Sequence, residues 1–404
     1  MVHGATMSRT VEAPTDPADA RSERLTAART VVVKIGTGVL TGPGGGIDRA
    51  VLQALATEMA TLTSPTRTTG TAGATGAAGT TESLRRFVVV SSGAIALGVE
   101  QLGMTARPRK MDALQACAAV GQGHLIRLWG EVFAGHGRVV AQVLLTHADL
   151  ADRRRFLNAR RALSELLRRG AVPVINENDT VAVEEIAFGD NDSLSAQVAN
   201  LVHADLLVML SVAPALLDGA TRVSVVVPGD RTVDGFIRTD TSTGGTGGMV
   251  TKVRAARAAT GVGCTAVIAE GKRPGVLTEL LAGGDLGTVF LPESAQLRSR
   301  AHWILHTLRP RGALVVDDGA RKAVVDGNRS LLPSGVTEVR GAFGQGDPVD
   351  LVGSDGIAFA RGLSAYSAGE IQKLQGRQTT EIQDILGYHL GDEAVHRDDL
   401  VLLG

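Results

Sequence analysis

The stretch TVVVKIGTG, residues 30–38, joins a β-branched run to a lysine and two glycines. It predicts a strand over Thr30 to Ile35, followed by a loop whose glycines let backbone amides approach a ligand oxygen. Five further runs of this kind follow, at Phe87 to Val90, Val139 to Leu145, Ala171 to Ile175, Leu206 to Leu210 and Thr265 to Ala269. Between them, Val51, Leu55, Met59 and Leu62 share one helical face, as do Leu194, Val198 and Leu201. This is the spacing of helices laid against a sheet. Strands alternating with helices predict an α/β fold with a mostly parallel open sheet sandwiched by helices.

In such a sheet ligands bind outside the carboxyl ends of the strands, so the residues that follow each strand matter most. The first strand ends in Lys34-Ile35-Gly36-Thr37-Gly38, the second in Ser91-Ser92-Gly93-Ala94 and the fourth in Asn176-Glu177-Asn178-Asp179. A fourth segment, Gly244-Gly245-Thr246-Gly247-Gly248-Met249-Val250-Thr251-Lys252, opens another helix. Small residues, hydroxyls and lysines converging on helix starts suit an anion, because the first amides of a helix lack intrahelical partners and carry partial positive charge. Neither a Walker A loop nor the dinucleotide fingerprint is present: Gly36-Thr37-Gly38 continues to Gly42, one position late. Gly189-Asp190-Asn191-Asp192 lies just before the Leu194 helix, where Asp192 could simply cap it.

Composition limits the classes. The chain has 404 residues, long enough for two or three domains. Its 50 glycines exceed the usual share of about 7%, and its Lys plus Arg (41) nearly balances Asp plus Glu (42), so no global field draws it to nucleic acid or an anionic membrane. No apolar run is long enough to span a bilayer, and residues 1–29 are too charged for a secretory leader, which predicts a cytoplasmic protein. Cys117 and Cys264 lack metal or disulfide spacing and read as buried, reduced thiols. His302 and His306 have zincin spacing, but Trp303 stands where the catalytic Glu would be, and they read as packing residues, as does His124 on a buried face.

The domain expectation is a disordered tail over 1–29, a catalytic domain over 30–292 with a low-complexity insertion at 63–83 lying away from the site, a linker over 293–311, and a small β-rich domain over 312–404. Residues 312–404 hold 8 Lys plus Arg against 14 Asp plus Glu. With 8 Phe, 2 Trp and 2 Tyr in the whole chain, phosphate neutralisation and base stacking are poorly served, and no RNA partner is expected.

The motifs Lys34-Ile35-Gly36-Thr37, Ser92-Gly93-Ala94, Phe156-Leu157-Asn158-Ala159-Arg160, Val174-Ile175-Asn176-Glu177-Asn178-Asp179, Gly189-Asp190-Asn191-Asp192 and Gly245-Thr246-Gly247-Gly248-Met249 together resemble the glutamate 5-kinase group of the amino acid kinase family. Leu331-Leu332-Pro333-Ser334-Gly335, Ile385-Leu386-Gly387-Tyr388 and Ala394-Val395-His396-Arg397-Asp398-Asp399 resemble its appended PUA domain. The resemblance implies phosphoryl transfer from ATP to the γ-carboxylate of L-glutamate, the first step of proline synthesis, with proline as inhibitor and a homo-oligomer, dimer or tetramer. It puts catalysis on Lys34 and Lys252 and glutamate on Ser92, Asp179 and Asn191. It puts ATP on Lys34, Ser211, Val212 and the run Thr246, Gly247, Gly248, Met249, Val250, Thr251 and Lys252. Mg²⁺ would be held mainly through the phosphates, with no metal-ligating residues of its own. Alternatives are a kinase for another small acid or nucleotide on this fold, or an RNA-binding PUA protein with a degenerate kinase domain. Two departures stand out: Val212 where the family usually has Asp, and Gly38 where it tends to have Ser or Asn.

Overall fold

The structure is a computed structural model that describes residues 16–42, 46–63, 85–182, 191–236, 248–292 and 310–403. The insertion at 63–83 falls, save Thr63, outside the described residues, as do His302, His306 and most of the 293–311 segment. The chain divides into two compact units, Met1–Ala151 with Asn158–Ser294, and Asp152–Leu157 with Ala295–Gly404.

In the first unit the strands are β1 Thr30–Ile35, β2 Arg86–Ser91, β3 Val140–Leu145, β4 Val172–Glu177, β5 Leu206–Ser211, the short β6 Leu217–Asp218, β7 Thr221–Arg222 and β8 Val225–Val226, then β9 Thr265–Glu270 and β10 Thr288–Phe290. All six expected strands form. Together with β8 and β10 they make an eight-stranded sheet in the order β3-β4-β2-β1-β5-β9-β10-β8. From β3 to β9 every neighbouring pair is parallel; β10 runs antiparallel to β9. The six parallel strands therefore deliver their carboxyl ends to one edge. β1, β4 and β5 are buried throughout, which is why they read as continuous rather than alternating apolar runs. The edge pairing of β8 and β10 is too short to leave a sequence pattern.

Helices cover the sheet. Trp129 and Phe133, on the helix Met111–Ala134, stack with ring centroids 5.8 Å apart, and the indole Nε1 donates to Ser91 Oγ at 3.0 Å, satisfying the buried polar end of the ring. That helix crosses Ala94–Gln101 at two glycines. A Cβ on Gly98 would lie 1.8 Å from the carbonyl oxygen of Cys117, and one on Gly121 would lie 1.8 Å from that of Ala94. Any side chain at either position would hold the two backbones apart.

The amino-terminal expectation needs correction. Residues 1–15 lie outside the described residues, but Pro17–Ala27 form a helix, capped by the Asp16 side chain accepting from Ala18 N at 2.8 Å. Leu25 is fully buried, and the guanidinium of Arg21 pairs with Asp285 at 3.2 Å while donating to the Gly283 and Gly284 carbonyls. A polar composition suggests disorder only when nothing distant supplies partners; here the partners lie some 260 positions away. Cys117 and Cys264 are buried free thiols, as expected. His124 is only half-buried, its Nδ1 3.2 Å from the Arg127 guanidinium.

The second unit carries β11 Gly312–Val316, β12 Val336–Gly341, β13 Pro348–Val352, β14 Ala358–Ser364 and β15 Val395–Leu402 in the order β12-β11-β13-β14-β15. Only β11 and β13 pair in parallel. Leu314, Leu351, Tyr366 and Ile371 lie in its own core. Among the described residues no helix is long and apolar enough to cross a membrane.

Candidate active site

Lys34 is the penultimate residue of β1, a lysine among valines, and is 5% exposed. Its Nζ lies 2.6 Å from Oδ1 of Asp192, the second residue of the helix Asn191–Leu201. The other carboxylate oxygen, Oδ2, accepts from Lys252 Nζ at 3.2 Å and Thr251 Oγ1 at 2.7 Å. Both belong to the first turns of the helix Met249–Gly261. One carboxylate, 2% exposed, thus ties together β1 and two helices. Burial by itself would raise the Asp192 pKa; Lys34, then Lys252, and hydrogen bonds from Lys34 and Thr251 outweigh it and hold the group at about 2. Two ammonium groups thus meet one carboxylate at the sheet edge.

Gly248 caps the Met249–Gly261 helix without a side-chain hydrogen bond, and no acidic residue occupies the first turn. Its leading amides can therefore serve an anion. Val250 is exposed and Met249 half-buried at this helix start, while Thr246 and Gly247 lie outside the described residues. At the end of β5, Ser211 Oγ accepts from Ala213 N at 3.3 Å. Val212 is 52% exposed, its Cγ1 only 3.1 Å from where a Cβ on residue 38 would sit. The two departures from the family pattern are thus neighbours, the missing side chain at Gly38 making room for valine.

On the other side of Asp192 lies a set of neutral polar groups. Gly93, in the left-handed region with φ 106°, caps the helix Ala94–Gln101 and turns the chain directly after Ser92. Asn191 Nδ2 donates to Ser92 Oγ at 2.8 Å and to Asn176 Oδ1 at 3.2 Å. Asn176 Nδ2 in turn donates to Gln122 Oε1 at 2.9 Å. Asn191 Oδ1 is buried and has no hydrogen-bond partner, an orphaned acceptor on the residue that precedes Asp192. Asp179, in the turn after β4, lines a cavity of about 260 Å³ together with Gln122, Gln142, Glu177, Asn178 and Thr180.

The structure therefore joins Lys34 to Lys252 through Asp192, and Ser92 to Asn191. Asp192, Asn176 and Gln122 were missing from the expected site set. The signal for Asp192 was present, a carboxylate at a helix start, but capping explained it equally well. A nucleotide triphosphate fits this donor set: ammonium groups, a hydroxyl and helix-terminal amides are anion ligands. A divalent cation wants several oxygens, and among the described residues no three His, Cys, Asp or Glu side chains come together to hold one.

The chain matches the model of the amino acid kinase family over residues 29–270 and that of the PUA domain over residues 312–386. It is 50% identical over 386 residues to a glutamate 5-kinase of Myxococcus xanthus (strain DK1622), covering 94% of this chain and 97% of that protein. It is 46% identical over 390 residues to a glutamate 5-kinase of Pelobacter propionicus, covering 95% and 100%. A third relative, a glutamate 5-kinase of Syntrophotalea carbinolica, is 43% identical over 389 residues, covering 95% and 99%.

Proposed function

The chain belongs to the amino acid kinase family and carries a PUA domain, and on that premise we propose that it transfers the γ-phosphoryl group of ATP to the γ-carboxylate of L-glutamate. The products are L-glutamate 5-phosphate and ADP. The observation that supports this reading is the Lys34–Asp192–Lys252 bridge, with the residue before Asp192, Asn191, carrying a buried carbonyl oxygen without a partner: cations for a phosphate, and an acceptor for a cation, gathered at consecutive residues of one helix start.

A glutamate side chain has a pKa of about 4.3, so the attacking oxygen is already anionic at neutral pH and needs no general base. What remains is positioning and charge compensation on the transferring phosphoryl group. Lys34 and Lys252, spaced by the Asp192 carboxylate, supply the positive charge, and the leading amides of Met249–Gly261 hold non-transferred phosphate oxygens. Magnesium, bound through the phosphates, would lower their charge further. At the acceptor end, Asn191 Oδ1 and Asp179 take the α-ammonium and Ser92 bonds a carboxylate. Proline carries the same α-ammonium and α-carboxylate and competes for that end; the working form is a homo-oligomer.

The test is coupled ADP release with glutamate, aspartate, carbamate and UMP as acceptors. Turnover is expected with glutamate alone, lost in Lys34→Ala, and inhibited by millimolar proline. Turnover confined to another acceptor would overturn the reading.

A further inference from the structure

Glu270 closes β9 and is exposed, after five buried residues of the same strand. Its carboxylate makes no hydrogen bond or ion pair with another described residue. A charge at the exit of a central strand, on the edge where the lysines collect, calls for a ligand.

The register of the parallel strands fixes where it stands. Paired residues of adjacent strands share a face of the sheet, and successive residues alternate between faces. Val33, Ile35, Val208, Leu210, Val267 and Ala269 face one core cluster. Lys34, Ser211 and Glu270 alternate with them and so face the other side, Ser211 pairing directly with Glu270. Lys34 pairs with Met209 and Met209 with Ile268. Glu270 therefore stands two strands across and two residues further on, about 12 Å from Lys34 between Cα atoms at about 3.3 Å per residue and about 4.8 Å per strand.

The helix Met249–Gly261 lies over this face: its Lys252 meets Lys34 through Asp192, and it packs on β9. Only residues 262–264 separate the helix from the strand, so the chain reverses and the first turn of the helix comes out at the same edge as Glu270. A nucleotide whose phosphates meet the lysine pair and those leading amides carries its sugar over the exits of β5 and β9. Val212 offers no acceptor there, and Ser211 Oγ already accepts from Ala213 N. A carboxylate only accepts, and can take two donors at once. It repels phosphate but suits a vicinal diol, as the acidic residue that holds the ribose hydroxyl does in dinucleotide-binding folds.

We propose that Glu270 is a specificity-determining residue for the nucleotide, its carboxylate accepting hydrogen bonds from the ribose hydroxyls. This rests on the kinase reading above only in that a nucleotide binds at this edge.

The experiment measures binding of ADP, 2′,3′-dideoxyADP and GDP, each with Mg²⁺, by titration calorimetry, with no acceptor present. It uses the full chain and its Glu270→Ala and Glu270→Gln variants. In the natural chain the dideoxy nucleotide is expected to bind about tenfold more weakly than ADP, the worth of a hydrogen bond to a charged group. In Glu270→Ala that ratio should fall below about threefold, with Glu270→Gln, which keeps an uncharged acceptor, in between. The ratio of GDP to ADP affinity should stay within about twofold throughout. A merely structural role would weaken ADP and its dideoxy analogue alike and leave their ratio where it was. An unchanged ratio in Glu270→Ala, or a change in the GDP ratio instead, overturns the inference and leaves the kinase reading standing. No ADP binding by the natural chain would remove the kinase reading, and this inference with it.

Discussion

Replacing Asp192 with asparagine keeps the shape of the side chain and removes a carboxylate that pairs with both Lys34 and Lys252. The cost can be worked two ways. The carboxyl sits at about 2 against 3.8 for an ordinary aspartate, and at 1.36 kcal/mol per unit this corresponds to about 2 to 3 kcal/mol of preferential stabilisation in the folded state. Breaking a buried pair by removing one partner typically costs about 3 to 5 kcal/mol, because the remaining charge stays buried. Here Lys34 and Lys252 both remain, with side chains 7% and 8% exposed, so the upper end applies. For a unit of this size each kcal/mol moves Tm by about 2 to 4 °C, and calorimetry should show the transition of the first unit falling by about 10 to 20 °C at pH 7. Because the folded-state pKa is depressed, the stabilisation is complete above the unfolded value of about 3.9 and is lost as pH falls towards about 2. The Tm gap between the two proteins should be flat from pH 8 to 5 and close below pH 4. On the proposed kinase reading, loss of the spacing between Lys34 and Lys252 should lower kcat by at least about a hundredfold. A shift under 2 °C, or a gap that does not narrow in acid, would refute the account of the bridge.

Three other outcomes follow from single positions. In a helix interior Gly121→Ala would ordinarily add about 1 kcal/mol of stability, but its Cβ would lie 1.8 Å from the Ala94 carbonyl oxygen, so Tm should fall by 5 °C or more; a rise would contradict the close helix crossing. Val212→Asp alters an exposed side chain and should lower the ATP KM about tenfold, the worth of one added polar contact, leaving the glutamate KM unchanged; an unaltered ATP KM would mean that residue 212 does not meet the nucleotide. Both cysteines are buried, and burial pushes the Cys264 thiol well above its ordinary pKa, so a disulfide reagent should modify neither in the folded protein and both after denaturation.

The parallel core was legible because each strand announces itself locally: TVVVKI and LLVMLS are buried along their whole length, and such runs keep their character whatever follows them. Lysine at the exit of such a run, at position 34, likewise stood out as a point charge able to meet a phosphate. The helix Pro17–Ala27 was not legible, since its polar surface is anchored by Arg21 to carbonyls at Gly283 and Gly284. Nor were β8 and β10, whose pairing spans two or three residues each.

By itself the sequence determined the α/β class and the strands, and it singled out the two lysines, Ser92 and Asn191, which the structure joins in pairs, as candidates at one edge of the sheet. It did so because backbone periodicity and the chemistry of strand exits are properties of neighbouring residues. Only the tertiary structure decided that Asp192 bridges Lys34 to Lys252 rather than merely capping its helix, and that Gln122 accepts a hydrogen bond from Asn176 behind Asn191. Those facts depend on which residue from a distant segment arrives within about 3 Å, and that distance is set by sheet order and by the Gly98 and Gly121 crossing, not by any local pattern.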